Sequence, residues 1–118
     1  MYKNCMITID AENKALGRIA AAAAKALMAK HKTTFAKNVV DQDGVKIINA
    51  SKVWISGTKA GSKTYLRYSG YAGGLKEETY DMLVARKGHE EVIRQAIKGM
   101  LPKNRLQTPR MKMLTIEK

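Results

Sequence analysis

Residues 57–64, Gly-Thr-Lys-Ala-Gly-Ser-Lys-Thr, combine two glycines, two lysines and three hydroxyls, the components of a loop that cradles phosphate. A nucleotide-binding P-loop needs G-x-x-x-x-G-K-S/T, so that the lysine follows the second glycine and the chain enters a helix whose N-terminus faces phosphate. Here Gly57 and Gly61 stand one residue too close, and Ser62 separates Gly61 from Lys63. The chain then runs Thr64-Tyr-Leu-Arg-Tyr68, the alternation of a strand and not the stripe of a helix. A small nucleotide-dependent enzyme is therefore the weaker reading. The same residues suit a loop against a phosphate backbone: small residues admit close approach, Lys59 and Lys63 supply charge, and Thr58, Ser62 and Thr64 can donate hydrogen bonds. Tyr65, Arg67, Tyr68 and Tyr71 follow at once, and basic residues interleaved with aromatics fit RNA, whose unstacked bases lie on rings or guanidinium planes. At least one of these tyrosines is expected in the core instead.

Other chemistry finds no support in the spacing. Cys5 is the single cysteine, so no intramolecular disulfide forms, and with only His31 and His89 it cannot build a zinc site. Cys5 borders an apolar run and is expected to be a buried, inert thiol. His89 reads as a residue at a helix start and His31, between Lys30 and Lys32, as one more member of a basic loop. Asp41 and Asp43 before Gly44 miss the calcium-loop register, which would put Val39 at the first ligand and Ala50 at the glutamate. Glu77 with Glu78, and Glu90 with Glu91, sit where helices are expected to begin and compensate their dipoles. No catalytic residue, metal site or cofactor is assigned.

Charge is the dominant signal. Lysine and arginine number 22 against 10 aspartates and glutamates, a formal charge of +12 that repels itself unless a polyanion neutralises it. The acids cluster, leaving three acid-free stretches, 13–40, 44–76 and 92–116, each with six lysines or arginines. Three such stretches in one small domain point to an extended cationic face. The cysteine usage suggests a reducing, cytoplasmic setting. The first ten residues lack the marks of a secretory signal, and no stretch approaches the roughly 18 to 20 apolar residues of a membrane span.

The elements that must position these residues follow from periodicity. One domain over 1–118 is expected, without repeats or linkers. Residues 6–9 read as a strand and 14–30 as a helix capped by Asn13, with Leu16, Ile19, Ala23 and Leu27 on one face. Residues 31–40 form a loop, and the second strand at 45–48 completes a parallel βαβ unit. Residues 53–56 read as a third apolar run, 64–68 as an alternating strand, and 70–74 as a glycine-rich loop. Helices are expected at 77–86, ended by Gly88, and at 90–98, stopped by Gly99 and Pro102; a strand at 113–116 closes the chain.

The segments "LGRIA", "KHK", "NASKVWISGTK", "YSGYAGGLK" and above all "AIKGMLPKNRL" make the sequence resemble the bacterial ribosomal protein L-thirteen family, nearly end to end. The resemblance implies an α/β fold: a three-layer α/β/α single domain around a mainly parallel four-stranded sheet, with basic loops. It implies a non-enzymatic structural constituent of the large ribosomal subunit that binds large-subunit ribosomal RNA, adjoins neighbouring large-subunit proteins and acts early in subunit assembly in the cytoplasm. No membrane and no small-molecule substrate are implied. Gly17 and Arg18, Lys30 to Lys32, Lys59, Tyr68 to Gly74 and Lys98 to Lys103 fall on motif positions. The chain departs from the family pattern at Asn4 and Cys5, where an aromatic pair is usual, and at Gln107, where glycine is common.

Charge and motif position together mark the candidate RNA contacts. They are Lys14 and Arg18; Lys30, His31, Lys32 and Lys37; Lys59, Lys63, Tyr65, Arg67, Tyr68, Tyr71 and Lys76; Arg86 and Lys87; and Lys98, Lys103, Asn104, Arg105, Arg110 and Lys112. A basic regulator of messenger RNA on the same fold is the alternative binding function.

Overall fold

The computed structural model describes residues 5–118; Asn4 lies outside them. The first strand, β1 (Ile7–Asp10), lies parallel to β2 (Val45–Ile48), with Ile7 opposite Val45 and Asp10 opposite Ile48. Between them runs α1 (Leu16–Leu27), so the βαβ unit forms as expected. Strand β2 is central, flanked on its other side by β5 (Leu114–Ile116), again parallel. Its Val45 and Ile47 are fully buried, which suits short β-branched residues between two neighbours. Ile19, Ala20, Ala23 and Leu27 form the buried stripe of α1, and the small alanines let its axis approach the core closely.

The helix is shorter than 14–30. Asn13 does not cap it but takes a left-handed turn (φ 55°), and the capping position falls to Ala15, which has no side-chain acceptor. At the other end Ala29 turns left-handed (φ 56°) and stops the helix.

The sheet has three strands, not four. Residues 50–52 form a 3₁₀ turn after a left-handed Asn49, and the run at 53–56 then contributes a single isolated bridge, Trp54 beside Ala15. Val53 and Ile55 tuck partly against the core while Trp54 is 56% exposed, so the run alternates without joining the ladder. A second, separate sheet is the antiparallel hairpin of β3 (Thr64–Tyr68) and β4 (Leu75–Thr79). Its tip is the glycine-rich segment expected as a loop.

The hairpin also corrects the next helix. Glu77 and Glu78 are strand residues, paired with Leu66 and Tyr65, and not a first helical turn. The helix α3 (Tyr80–Lys87) begins after them, with the Thr79 hydroxyl accepting from the Met82 N–H at 3.4 Å. Gly88 (φ 87°) makes a corner that a side chain would strain, and α4 (His89–Met100) follows. Gly99 is absorbed into α4, which ends at Met100, with the extended Leu101 as its cap before Pro102. Two further pieces are helical: one turn, α2 (Lys59–Ser62), and α5 (Gln107–Lys112) within the basic segment before β5.

The core lies between α1, α4, α3 and the sheet, with Leu83, Val92, Ile93 and Ile97 nearly inaccessible. Cys5 is exposed, contrary to expectation, because it precedes the first strand residue of the ladder. The radius of gyration, 15.5 Å, exceeds the value of about 13.5 Å for a compact domain of this length, within extents of 50 × 36 × 20 Å. Most side chains of the hairpin, and most of those in the 30–42 segment, point into solvent.

Candidate nucleic-acid interface

The one-turn helix α2 settles the geometry of the glycine-lysine segment. Gly57 (φ 62°) turns the chain, Lys59–Ser62 make one turn, and Thr64 then begins β3. No long helix follows to face a nucleotide. The segment is a tight turn that was expected as a loop, and it leaves Lys59 and Lys63 exposed and without ion pairs among the described residues.

These lysines stand at one end of a trough. Its first part, a cleft of about 450 Å³, is bounded by Lys59 and Lys63, exposed Trp54, the start of α1 at Leu16 and Gly17, and Met100 of α4. The start of α1 has no acidic residue and no side-chain cap, so its unpaired N–H groups keep their positive character. An adjoining cleft of about 910 Å³ is walled by Arg67 of the hairpin, Arg94 and Lys98 of α4, and Lys103 and Asn104 of the following segment. Tyr65, Gln95 and Gly99 belong to both.

Tyr65 is half-buried at this junction. The Lys63 ammonium lies 5.4 Å from its ring centroid, a cation–π distance. Its hydroxyl is buried without a hydrogen-bond partner among the described residues, and burial pushes its pKa up, so the phenol stays neutral and can donate. The expectation that one hairpin tyrosine packs on the core is met by Tyr65. Tyr68 and Tyr71 are 64% and 80% exposed, at the end of β3 and in the hairpin tip.

The cations of the second cleft are unequal. Glu78 takes Arg86 at 2.7 Å and Arg67 at 3.4 Å, and the Arg86 hydrogen bond holds the Glu78 carboxyl below its ordinary range. Arg94 faces Glu91 at 3.6 Å. Lys98 and Lys103 have no carboxylate partner among the described residues. Asn104 shapes its own segment, its side chain accepting from the Leu106 N–H, and Gln107 donates to the Lys98 carbonyl at 2.7 Å. Gln107 thus ties α5 to the last turn of α4.

Of the candidates, Lys59, Lys63, Tyr65, Arg67, Lys98, Lys103 and Asn104 converge on the trough. Lys14, Arg18, Lys76, Lys87, Arg105 and Lys112 are exposed elsewhere, as are Lys30, His31 and Lys37 in the loop after α1. Lys32 turns inward onto Asp41 and Asp43. Arg110, counted with the exposed cations on charge alone, is 2% exposed, and its Nε is unpartnered among the described residues. A six-residue helix with one inward face buries it, and charge counting along a segment carries no information on that face.

Sequence reasoning missed Trp54, Arg94, Gln95 and Thr108 on the trough. Arg94 carried a charge signal, as a basic residue in an acid-free stretch, and Trp54 lies within the segment at 49–59 that carries the resemblance.

Among the described residues no group of three or more metal-binding side chains occurs and no helix is long and apolar enough to cross a membrane. The sequence profile of the ribosomal protein L13 family matches residues 4–116. A protein of Thermoanaerobacter sp. (strain X514), named large ribosomal subunit protein uL13, is 47% identical over 114 residues, covering 97% of this chain and 79% of its own length. The protein of that name from Caldanaerobacter subterraneus subsp. tengcongensis is 50% identical, with 92% and 75% covered. The one from Chlamydia abortus is 44% identical, with 93% and 73% covered. A basic, mixed α/β chain matched by that profile over nearly its whole length belongs to the ribosomal protein L13 family, a structural component of the large ribosomal subunit and not an enzyme.

Proposed function

We propose that the protein binds large-subunit ribosomal RNA through the trough between the hairpin, α2 and α4, beside neighbouring large-subunit proteins, and contributes to early subunit assembly. The observation that carries this reading is the convergence of Lys59, Lys63, Lys98 and Lys103, unpaired among the described residues, around half-buried Tyr65. Phosphates replace the missing carboxylates at these ammonium groups, and each contact releases counterions. Tyr65 packs beside Lys63 at the junction, while exposed Tyr68 and Tyr71 offer rings to unstacked bases. The exposed cations after α1 and on α3 extend the same field to further RNA segments. Because the folded core fixes the spacing of these groups, the protein selects an RNA surface of matching shape and not a base sequence.

The test is a salt titration of binding to large-subunit ribosomal RNA fragments against an unrelated structured RNA of equal length. One fragment is expected to resist competition at near-physiological salt. Equal competition by every RNA, with binding lost together as salt rises, would rule out a defined site on the free protein.

A further inference from the structure

Between α1 and β2 the chain passes through residues 28–44 without regular structure, carrying Lys30, His31, Lys32 and Lys37. Short backbone turns occur within it, such as Lys32 N–H to the Ala29 carbonyl at 3.1 Å and Phe35 N–H to the Lys32 carbonyl at 3.3 Å. Its two ends are joined by one side chain. The Lys32 ammonium lies 2.5 Å from Asp41 and 2.7 Å from Asp43. Asp43 is 5% exposed, and its second oxygen accepts from the Cys5 N–H at 3.2 Å, while the Gly44 carbonyl accepts from Ile7 N–H at 2.9 Å. The ammonium therefore connects the start of the loop to its end, and through Asp43 to the residues leading into β1.

We propose that Lys32 is a positioning residue and not an RNA ligand: its ammonium brackets the loop so that Lys30, His31 and Lys37 are presented to RNA in a fixed arrangement. The proposal rests on the RNA-binding reading above for its function and on the ion pairs for its geometry. For Lys32 to reach a phosphate, two ion pairs must break and the buried Asp43 carboxylate must remain without its counter-charge, a strongly unfavourable exchange. Two carboxylates beside the ammonium also repel an approaching phosphate. Lys30 and Lys37 are exposed and form no ion pair among the described residues, so their charge is available, and His31 is exposed beside them.

The test uses the full chain with Lys32→Met, which keeps the aliphatic stem, and Asp41→Asn, which removes the more accessible carboxylate; Lys37→Ala is the control. Amide hydrogen exchange of the free protein should become about tenfold faster across residues 32–44 in the first two variants and not in the control. In salt titrations against a large-subunit ribosomal RNA fragment, Lys37→Ala should lower the slope by about one. Asp41→Asn should weaken binding about threefold or more, although loss of a negative charge by itself strengthens attraction to RNA. Unchanged exchange in both bracket variants overturns the proposal. So does tighter binding by Asp41→Asn together with a slope lowered by about one in Lys32→Met, the behaviour of a ligand. Wild-type protein that fails to prefer ribosomal RNA defeats the RNA reading, and the exchange measurement then decides the bracket alone.

Discussion

Arg110 takes a guanidinium into the interior with no carboxylate within ion-pair distance among the described residues and with its Nε unbonded. A buried charge without a partner keeps most of its desolvation penalty, and a hydrophobic residue of similar volume removes that penalty while filling the space. Arg110→Met is therefore expected to raise stability by about 1–3 kcal/mol in urea unfolding. It should leave the salt dependence of RNA binding unchanged, since the side chain does not reach the surface. A lower slope would return Arg110 to the interface. Tyr65 is the contrasting residue: its hydroxyl is also buried without a hydrogen-bond partner among the described residues, but it is a neutral group and carries no buried charge.

The hairpin is weakly secured by the core, because most of β3 and β4 is solvent-facing and a two-stranded sheet is marginal alone. Glu78 is its anchor, holding Arg67 within the hairpin and Arg86 on α3. Hydrogen bonding from Arg86 lowers the folded-state pKa of Glu78 below its unfolded value. A carboxyl so depressed contributes stability in full above its unfolded pKa and loses it as pH falls through the lowered folded pKa. The melting temperature of the wild-type protein should thus fall between about pH 5 and pH 3, and Glu78→Gln should flatten part of that fall while lowering stability at neutral pH. Asp41, held down by the Lys32 hydrogen bond, and Asp10, held down by Asn49, account for a remainder. Parallel curves for the two proteins would show that the Glu78 ion pairs add nothing.

For the whole molecule, the question is where +12 of charge goes. Among the described residues carboxylates pair with Lys32, Lys46, Lys52 and Arg94, and Glu78 is shared by Arg67 and Arg86, so the excess positive charge rests on the trough lysines and the exposed cations around it. Lys59 and Lys63 are exposed and contribute little to packing beyond the Tyr65 contact, which at a surface is worth about 0.5–1 kcal/mol. Replacing both with alanine should lower the salt slope of ribosomal RNA binding by about two. Unfolding free energy should change by no more than about 1 kcal/mol. An unchanged slope would remove α2 from the interface.

The amino-acid sequence by itself determined the elements whose own residues carry the signal. The apolar runs of β1, β2 and β5, the α1 stripe and Gly88 as a helix break are local physics, and the densest motif, at residues 97–103, carried the family resemblance. Long acid-free stretches likewise gave the expectation of a polyanion partner, on which the proposed function rests. What tertiary structure alone decided was which side of each element faces outward and what lies opposite. Residues 53–56 have the composition of a strand, but the turn after Asn49 leaves them one bridge. Glu77 and Glu78 look like a first helical turn until Leu66 and Tyr65 appear across the ladder. Lys32 and Arg110 are indistinguishable in sequence from their basic neighbours, because burial and ion pairing depend on distant residues that meet only in the folded chain.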